Sequence, residues 1–336
     1  MKSIVCVSPG KLQMQEKAYP NSTPGHSIVK IIQVGVCGTD LNAFRGVQPY
    51  FTYPRVLGHE IAAEFIEGDA GDFKKGDLVT VLPYKNCGKC FACTLGKSNC
   101  CSSLSVLGVH EDGGMSEYIS VPNQIIVRTK GMAADQIALI EPLAIGAHAV
   151  KRISIQPHDT VLVMGAGPIG IGLLHFLLLQ KIKTIIADTN SLRLDYCKKY
   201  FPTFHCLDPS QLDMFKKLNE ITYGNMPSVI FDASGNLDAI HQSLAYLSHA
   251  GKYILVGLQQ GNIQVNHPEF HKREAMLMSS RNATHADFQF VIDAMISKKI
   301  NPEGMITHRL QFTEAAEKFS TLYSQKDSLI KAMICC

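Results

Sequence analysis

The sequence lacks tryptophan, a large net charge and any long apolar run. The absence of tryptophan carries no functional message, whereas a formal charge of +3 is too small to indicate a nucleic-acid partner. The longest apolar stretches, such as 169–179, fall short of the roughly 20 residues that a membrane span needs. The segment 1–5 has one lysine and no long apolar run, so we expect no signal peptide and no membrane partner.

The length of the chain and its cysteine content indicate the number of domains and the cellular compartment. The chain has 336 residues, of which 46% are hydrophobic and 18% charged, enough for two globular domains with substantial cores. Its 11 cysteines are an odd number, and the closest of them have metal spacing and not disulfide spacing. A reducing, cytoplasmic location is therefore expected.

Four cysteines form one candidate metal site in the segment 86–102. They follow the pattern C-x2-C-x2-C-x7-C, and four thiolates in a short lobe suit a closed, structural zinc ion: Cys87, Cys90, Cys93 and Cys101. Cys100 is adjacent to the last of these, so spacing alone leaves the fourth ligand open. A nucleic-acid-binding zinc module is not supported, because only Lys89 and Lys97 are basic within the lobe.

A second candidate site has mixed ligands. Cys37 follows a predicted strand, His59 and Glu60 are adjacent, and Glu141 lies where the first half of the chain ends. One thiolate, one imidazole and carboxylates are the set expected where zinc keeps a position open for a substrate. The residues leave open whether Glu60, Glu141 or both bind the metal, and a lone cysteine such as Cys37 is by itself more often a core residue.

These ligands point to alcohol chemistry. A zinc ion acting as a Lewis acid lowers the pKa of an alcohol and so allows hydride to leave for a nicotinamide ring. Thr39 is a candidate to hydrogen-bond the alcohol oxygen and pass its proton outward, with Glu60 and Glu141 as further candidate catalytic residues. Asp40 is a candidate to orient His59.

A nucleotide fingerprint follows in the second half. The motif G-x-G-x-x-G lies between a predicted strand (Val161–Met164) and a predicted helix (Ile169–Gln180), and it comprises Gly165, Ala166, Gly167, Pro168, Ile169 and Gly170. Glycines there allow a tight turn, backbone approach to a pyrophosphate and close packing of helix on sheet. The motif alone is weak evidence, since glycine-rich turns are common.

An acidic residue after the next predicted strand strengthens the motif. Asp188 lies 23 residues after Gly165, where a carboxylate can bind both ribose hydroxyls and repel a 2′-phosphate. We therefore expect NAD and not NADP as cofactor, with Arg193 either stacking on the adenine or weakening this discrimination. The alternative is that Asp188 only caps the helix that begins near Ser191.

The pattern of elements predicts an α/β protein with two parts. Short β-branched runs separated by glycine and proline predict a β-rich, barrel-like first part, for example 28–36, 61–66, 78–82 and 115–121. From Asp159, strands alternate with helices, which predicts a doubly wound parallel sheet. A helix, a strand and a final helix and strand after about residue 285 are expected to return to the first part.

Together these motifs resemble the zinc-dependent medium-chain dehydrogenase (alcohol dehydrogenase) family. Cys37-Gly38-Thr39-Asp40, Gly58-His59-Glu60, the cysteine lobe, Glu141-Pro142-Leu143 and the glycine motif occur in the order found in that family. The resemblance implies a GroES-like catalytic domain (1–145 and 285–336), a Rossmann NAD-binding domain (146–284), two zinc ions per subunit, Cys101 as the fourth lobe ligand, and a homodimer or homotetramer.

Finer similarities concern the substrate. A glutamate at position 141 resembles the sorbitol and threonine dehydrogenase branch. The segments 53–60, 108–114 and 280–284 are similar to bacterial L-galactonate and L-gulonate 5-dehydrogenases, which implies oxidation of a secondary alcohol of a hexonate to a ketone. Polyol oxidation (sorbitol or galactitol) and L-threonine oxidation are the alternatives. A non-catalytic nucleotide-binding scaffold is disfavoured because the zinc ligands are retained.

Residues that would contact the substrate are less well indicated. Arg281 follows the last predicted strand of the parallel sheet and is a candidate for a carboxylate or polyhydroxy substrate, or for a salt bridge. Lys272 belongs to a basic run that either binds a carboxylate or is a solvated surface. Asn42 stands where many relatives have a histidine, and an amide cannot take up the proton that Thr39 would pass on.

Overall fold

The computed structural model describes residues 1–325 and 327–336. These residues form two compact units, Met1–Glu141 with Ala283–Cys336, and Pro142–Asn282. The return to the first part, expected after about residue 285, falls at Ala283. Within the described residues, no helix is both long and apolar enough to cross a bilayer.

The first unit is built mainly of β-strands. In chain order its elements are β1 (Lys2–Ser8), β2 (Lys11–Glu16), β3 (His26–Val36), α1 (Gly38–Arg45), β4 (Arg55–Val56), β5 (Glu60–Gly68), β6 (Leu78–Val81), β7 (Tyr84–Lys85), α2 (Phe91–Thr94), β8 (Ser105–Val106), β9 (Tyr118–Pro122), β10 (Ile126–Arg128) and α3 (Ala134–Ala138). Helix α4 (Ile140–Lys151) contains the boundary between the units.

The second unit alternates strands and helices. Its elements are β11 (Thr160–Met164), α5 (Pro168–Leu179), β12 (Lys183–Ala187), α6 (Ser191–Tyr200), β13 (His205–Leu207), α7 (Met214–Ile221), β14 (Val229–Asp232), α8 (Leu237–Ser243), β15 (Lys252–Leu255), α9 (His267–Lys272) and β16 (Met276–Ser279). The chain then completes the first unit with α10 (His285–Ile296), β17 (Ile306–Gln311), α11 (Phe312–Ser324) and β18 (Lys331–Cys335).

Strand β3 organises the first unit. It lies inside a seven-stranded sheet of order β10-β6-β5-β3-β18-β17, and β9 also pairs with it. Antiparallel pairing sets Glu60 of β5 opposite Gly35, and Ala332 of β18 opposite Val36. Because pairing fixes which side chains are neighbours across a sheet, the ends of β5 and β18 meet over the last residues of β3.

The second unit contains one parallel sheet of order β13-β12-β11-β14-β15-β16. Counted by appearance in the unit, this is 3-2-1-4-5-6, the order of a doubly wound dinucleotide-binding sheet. Buried side chains on one side form a continuous core: Leu162, Met164, Ile185, Ala187, Leu207, Met214, Leu218, Ile230, Ile240, Leu247 and Tyr253. Continuous apolar strands of this kind are expected where helices cover both faces of a parallel sheet.

One predicted strand is shorter than expected, and some short ones were not predicted. The expected strand 115–121 begins only at Tyr118, because Met115 hydrogen-bonds to Leu57 and Ile4 of two other segments. The strands β1 and β2 form a sheet with β4 that the sequence did not predict. Strand β2 has only two apolar residues, Leu12 and Met14, and so lacks the apolar run used to recognise a strand, whereas β1 contains a short apolar run, residues 4–7, that was not interpreted as a strand.

Candidate active site

Asp40 fastens together the two loops that carry Cys37 and His59. Helix α1 starts directly after Cys37, and the fully buried carboxylate of Asp40 accepts the Cys37 N–H at 2.8 Å. Its other oxygen accepts the Gly58 N–H at 3.0 Å. Each hydrogen bond to a charged acceptor in a dry site is strong, so one carboxylate fixes both loops.

His59 is buried beside this carboxylate. Its Nδ1 atom lies 3.8 Å from Asp40 Oδ1, and only 5% of the residue is exposed. Burial lowers the pKa of His59, but the charges of Asp40, Cys37 and Glu141 outweigh it and raise that pKa well above its usual value. The same negative charge favours a metal ion at this position, which would bind the imidazole nitrogen in place of a proton.

The thiol of Cys37, the imidazole of His59 and the carboxylate of Glu60 form a metal-ligand set. Each offers a ligand atom, and these atoms lie within 4.8 Å of one another. The set of one sulfur, one nitrogen and one oxygen donor fits zinc with a position left open. The structure therefore brings three of the four expected ligands together.

Glu141 is held next to this set by a tyrosine. The hydroxyl of Tyr84 donates a hydrogen bond to Glu141 Oε1, and both side chains are buried. Burial is the main reason that the pKa of Glu141 is raised to about 7, with Glu60 adding to it and His59 opposing it. Glu141 lies outside the three-residue group found among the described residues.

A buried ion pair connects Glu60 to the C-terminal strand. Lys331 Nζ lies 2.6 Å from Glu60 Oε1 and 2.7 Å from Oε2, and it also donates to the Val36 carbonyl at 3.2 Å. The pair is buried, with side-chain exposures of 1% for Lys331 and 0% for Glu60. Gly35 makes room for it, since a Cβ at that position would overlap Glu60 Oε2.

The four expected lobe cysteines also converge. Their sulfur atoms lie within 4.8 Å of one another, and Cys100 is outside the group: Cys87, Cys90, Cys93 and Cys101. Backbone N–H groups of Cys87 and Ser103 approach Cys101 Sγ at 3.3 and 3.4 Å. Backbone N–H donors, first that of Ser102, lower the pKa of Cys90 to about 5. Burial raises the pKa of Cys93 to about 11, so the convergence of the four sulfurs, and not a shared pKa shift, is what fits a closed zinc site.

The glycine motif has the geometry that a dinucleotide needs. Gly165 has φ +98°, and a Cβ there would lie 2.8 Å from the Ser234 nitrogen. A Cβ at Gly170 would overlap the carbonyl oxygen of Gly165. At Gly167 the nearest atom to a Cβ within the chain is Arg193 Nη1 at 3.9 Å, so internal packing does not require a glycine there. Pro168 and Ile169 begin α5, which points its N-terminus at this loop.

Asp188 is fixed by the backbone around that loop. Its oxygens accept N–H groups of Ala166 at 2.6 Å and Asn190 at 2.8 Å, and Arg193 Nη1 lies 3.9 Å away. The alternative role of capping α6 belongs to another residue, because Asn190 accepts the Arg193 N–H at the start of that helix. Asp188 is thus held in place without capping a helix.

The remaining expected residues lie at or near the surface. Thr39 is half-buried on α1, and Arg281 is exposed after β16. The Lys272 side chain is 63% exposed and lies 3.9 Å from Glu269, which also pairs with Arg273 at 2.7 Å. Pairing of the basic run with its own helix favours a solvated surface role for Lys272.

Comparison with known proteins agrees with this geometry. The model described as "Alcohol dehydrogenase GroES-like domain" matches residues 23–131, and the one described as "Zinc-binding dehydrogenase" matches residues 168–297. An L-galactonate-5-dehydrogenase of Escherichia coli K12 is 40% identical, with 99% of this chain and 98% of that protein covered. The chain belongs to the zinc-dependent alcohol dehydrogenase family.

Other relatives support the same assignment. A sorbitol dehydrogenase of Halalkalibacterium halodurans is 30% identical, with 96% of each chain covered. A solved Escherichia coli CFT073 alcohol dehydrogenase complexed with NADH is 31% identical, has a TM-score of 0.92, and covers 100% of this chain and 99% of its own. The predicted family and fold class, a GroES-like domain with a Rossmann domain, are confirmed. The protein is an oxidoreductase that uses zinc and a nicotinamide dinucleotide.

Three residues around the metal-ligand set escaped sequence reasoning: Gly35, Tyr84 and Lys331. Only Lys331 could have been noticed in the sequence. It directly precedes the apolar residues 332–335, and a lysine buried in such a strand needs a partner of opposite charge. Its partner is 271 residues away, so only the fold could identify it.

We predict that Gly35→Ala destabilises the first unit, because the new methyl group must displace the carboxylate of Glu60 from its ion pair. Disruption of a buried pair lowers the free energy of unfolding by about 3–5 kcal/mol. Chemical denaturation measures this, and Gly38→Ala is the matched control because no described atom lies within 4 Å of the added Cβ. Equal stability of the two variants would contradict the role given to Gly35.

We also predict that Cys101→Ser loses the zinc of the lobe, whereas Cys100→Ser keeps it. The two cysteines are adjacent, but only Cys101 contributes to the convergent sulfur group. Zinc content of the purified variants, measured by mass spectrometry of the metal, distinguishes them. Loss of zinc from Cys100→Ser instead would show that the other cysteine is the ligand.

Proposed function

We propose that the protein oxidises a secondary alcohol of a sugar acid, a hexonate such as L-galactonate or L-gulonate, with NAD as the hydride acceptor. The observation that carries the proposal is the convergence of Cys37, His59 and Glu60 in a chain that is 40% identical to an L-galactonate-5-dehydrogenase over nearly its full length. The donor set supplies the chemistry, and the relative supplies the substrate class.

The residues of the first unit have distinct roles in this proposal. Cys37 and His59 would hold the catalytic zinc with Glu60 or Glu141, and a bound zinc ion would supply Lewis-acid activation of the substrate hydroxyl. Asp40 holds the Cys37 and His59 loops in register through its two backbone hydrogen bonds. The substrate hydroxyl donates its proton to Thr39 Oγ1.

The proton has to continue past Thr39 without help from Asn42. Both residues lie on α1 three positions apart, so they share a face of that helix. A carboxamide does not take up a proton at neutral pH, and the relay therefore ends at water or at the cofactor ribose.

Asp188 supports NAD over NADP. Two backbone N–H groups fix its carboxylate, which cannot turn away from an approaching ligand without losing both hydrogen bonds. A fixed negative charge binds ribose hydroxyls and repels a 2′-phosphate. Arg193 lies 3.9 Å from Asp188, and this proximity supports the proposal that it stacks on the adenine.

Selection of the sugar acid is assigned to Arg281, with Lys272 as a weaker candidate. An exposed guanidinium after β16 can bind a carboxylate through two parallel hydrogen bonds. The ion pair of Lys272 with Glu269 makes it less available. A polyol dehydrogenase is the second candidate function, favoured by the 30% identity to a sorbitol dehydrogenase, and L-threonine oxidation is the third.

The cytoplasmic location and the homodimer or homotetramer stay predictions of the sequence. Size-exclusion chromatography with light scattering decides between one, two and four subunits.

We predict that Asp188→Asn weakens NAD binding and improves NADP binding, because the charge that repels the 2′-phosphate is gone. The ratio of the two dissociation constants should shift toward NADP by about tenfold or more. Isothermal titration calorimetry measures both constants. Asp208→Asn, after the neighbouring strand β13, is the matched control and should leave the ratio unchanged. An unchanged ratio in Asp188→Asn would remove Asp188 from cofactor selection.

We predict that a hexonate is the best substrate in a panel of L-galactonate, L-gulonate, sorbitol, galactitol and L-threonine. Reduction of NAD by the zinc-loaded protein is followed by absorbance. Cys37→Ser should abolish turnover because it removes the thiolate ligand, whereas Cys100→Ser should retain it. Turnover of polyols or threonine alone would overturn the sugar-acid proposal and keep the enzyme class.

A further inference from the structure

One carboxylate in the site faces two competing cations. An oxygen of Glu60 lies within 4.8 Å of the ligand atoms of Cys37 and His59. The same carboxylate is bound through both oxygens by Lys331, at 2.6 and 2.7 Å. An ion between Cys37 and His59 and the ammonium group of Lys331 therefore compete for Glu60.

The pairing of three strands brings Glu60 and Lys331 together. Glu60 begins β5 opposite Gly35, and Lys331 begins β18 beside Val36, so both side chains meet over the end of β3. Gly35 has no side chain to separate them, and the Val36 carbonyl accepts a third hydrogen bond from Lys331 at 3.2 Å. Three bonds from neighbouring strands leave the ammonium group little freedom to move.

Lys331 is also surrounded by acidic groups. Glu60 is in direct contact with its ammonium group, and Cys37 and Glu141 also lie close enough to act on it electrostatically. Lys331 and Glu60 are both almost completely buried, so water screens their interaction weakly. The ammonium group of Lys331 is therefore close enough to the ligand set to affect the charge that a metal ion would meet there.

We propose that Lys331 is a positioning residue that holds the Glu60 carboxylate away from the metal and sets how much negative charge the site offers. The inference rests on the proposed function, because it assumes that Cys37 and His59 bind zinc. With Glu60 occupied by Lys331, Glu141 is the carboxylate available at rest, since its observed hydrogen bond from Tyr84 engages only Oε1.

Lys331→Met tests this by removing the competing cation. The released carboxylate can then join Cys37 and His59, so the zinc dissociation constant of this site should fall by about tenfold or more. Cobalt(II) is the spectroscopic probe, because its visible absorption reports the number and type of ligands. The spectrum of the variant should differ from that of the parent protein, and the contribution of the cysteine lobe cancels in the difference.

Two further variants separate positioning from simple structural support. Lys331→Arg keeps the charge and should retain the parent spectrum. Glu60→Gln removes the carboxylate through which Lys331 acts, so Lys331→Met should leave the cobalt spectrum unchanged in that background. If Lys331→Met alone fails to fold, the double variant, which lacks both charges of the pair, is compared with the parent protein; because Glu60 does not bind the metal in the parent, the two cobalt spectra should agree.

The outcomes are distinct. A parent-like spectrum and zinc affinity in folded Lys331→Met would overturn the proposal, and so would a double variant whose cobalt spectrum differs from that of Glu60→Gln. Failure of the parent protein itself to show a thiolate–cobalt band that depends on Cys37 would instead overturn the proposed function. Agreement of Lys331→Arg with the parent, together with the altered Lys331→Met spectrum, supports a positioning role.

Discussion

The buried ion pair between Glu60 and Lys331 is the constraint on which the metal-ligand set depends. A carboxylate with no exposed surface cannot stay ionised without a counter-charge or several hydrogen bonds, and Lys331 provides the counter-charge. The pair requires Gly35 on the strand between them and requires β18 to return beside β3. The C-terminal strand is therefore part of the site although it contributes no expected zinc ligand.

Asp40 complements this pair by acting on the backbone. It accepts one N–H from the loop of Cys37 and one from the loop of His59, and so sets the spacing of two ligands from separate segments. The ion pair and the Asp40 hydrogen bonds have different roles. Glu60 and Lys331 neutralise each other's charge inside the sheet, whereas Asp40 fixes the geometry of the two loops at its edge.

Sequence reasoning succeeded where a function needs a local pattern. The G-x-G-x-x-G turn, the strand that precedes Asp188 and the cysteine lobe are each encoded within a short segment, and the parallel sheet follows from regular alternation. It failed where a function needs a distant partner. The sequence does not show that Lys331 pairs with Glu60 or that Tyr84 hydrogen-bonds to Glu141. Strand register and burial decide these contacts between distant residues.

The same distinction explains why cofactor preference is easier to infer than the substrate. Asp188 is held by backbone N–H groups of its own loop, so its direction follows from local structure that the motif already implies. Arg281 and Lys272 are exposed residues with long side chains, and the local sequence does not fix the direction of such side chains. A charged side chain held by backbone hydrogen bonds can exclude a ligand of like charge before any contact forms. A charged side chain that is not held in this way discriminates between ligands only through the contacts it makes with them. The carboxylates of the metal site are likewise fixed before a ligand arrives, since Lys331 holds Glu60, the Tyr84 hydroxyl holds Glu141 and two backbone N–H groups hold Asp40.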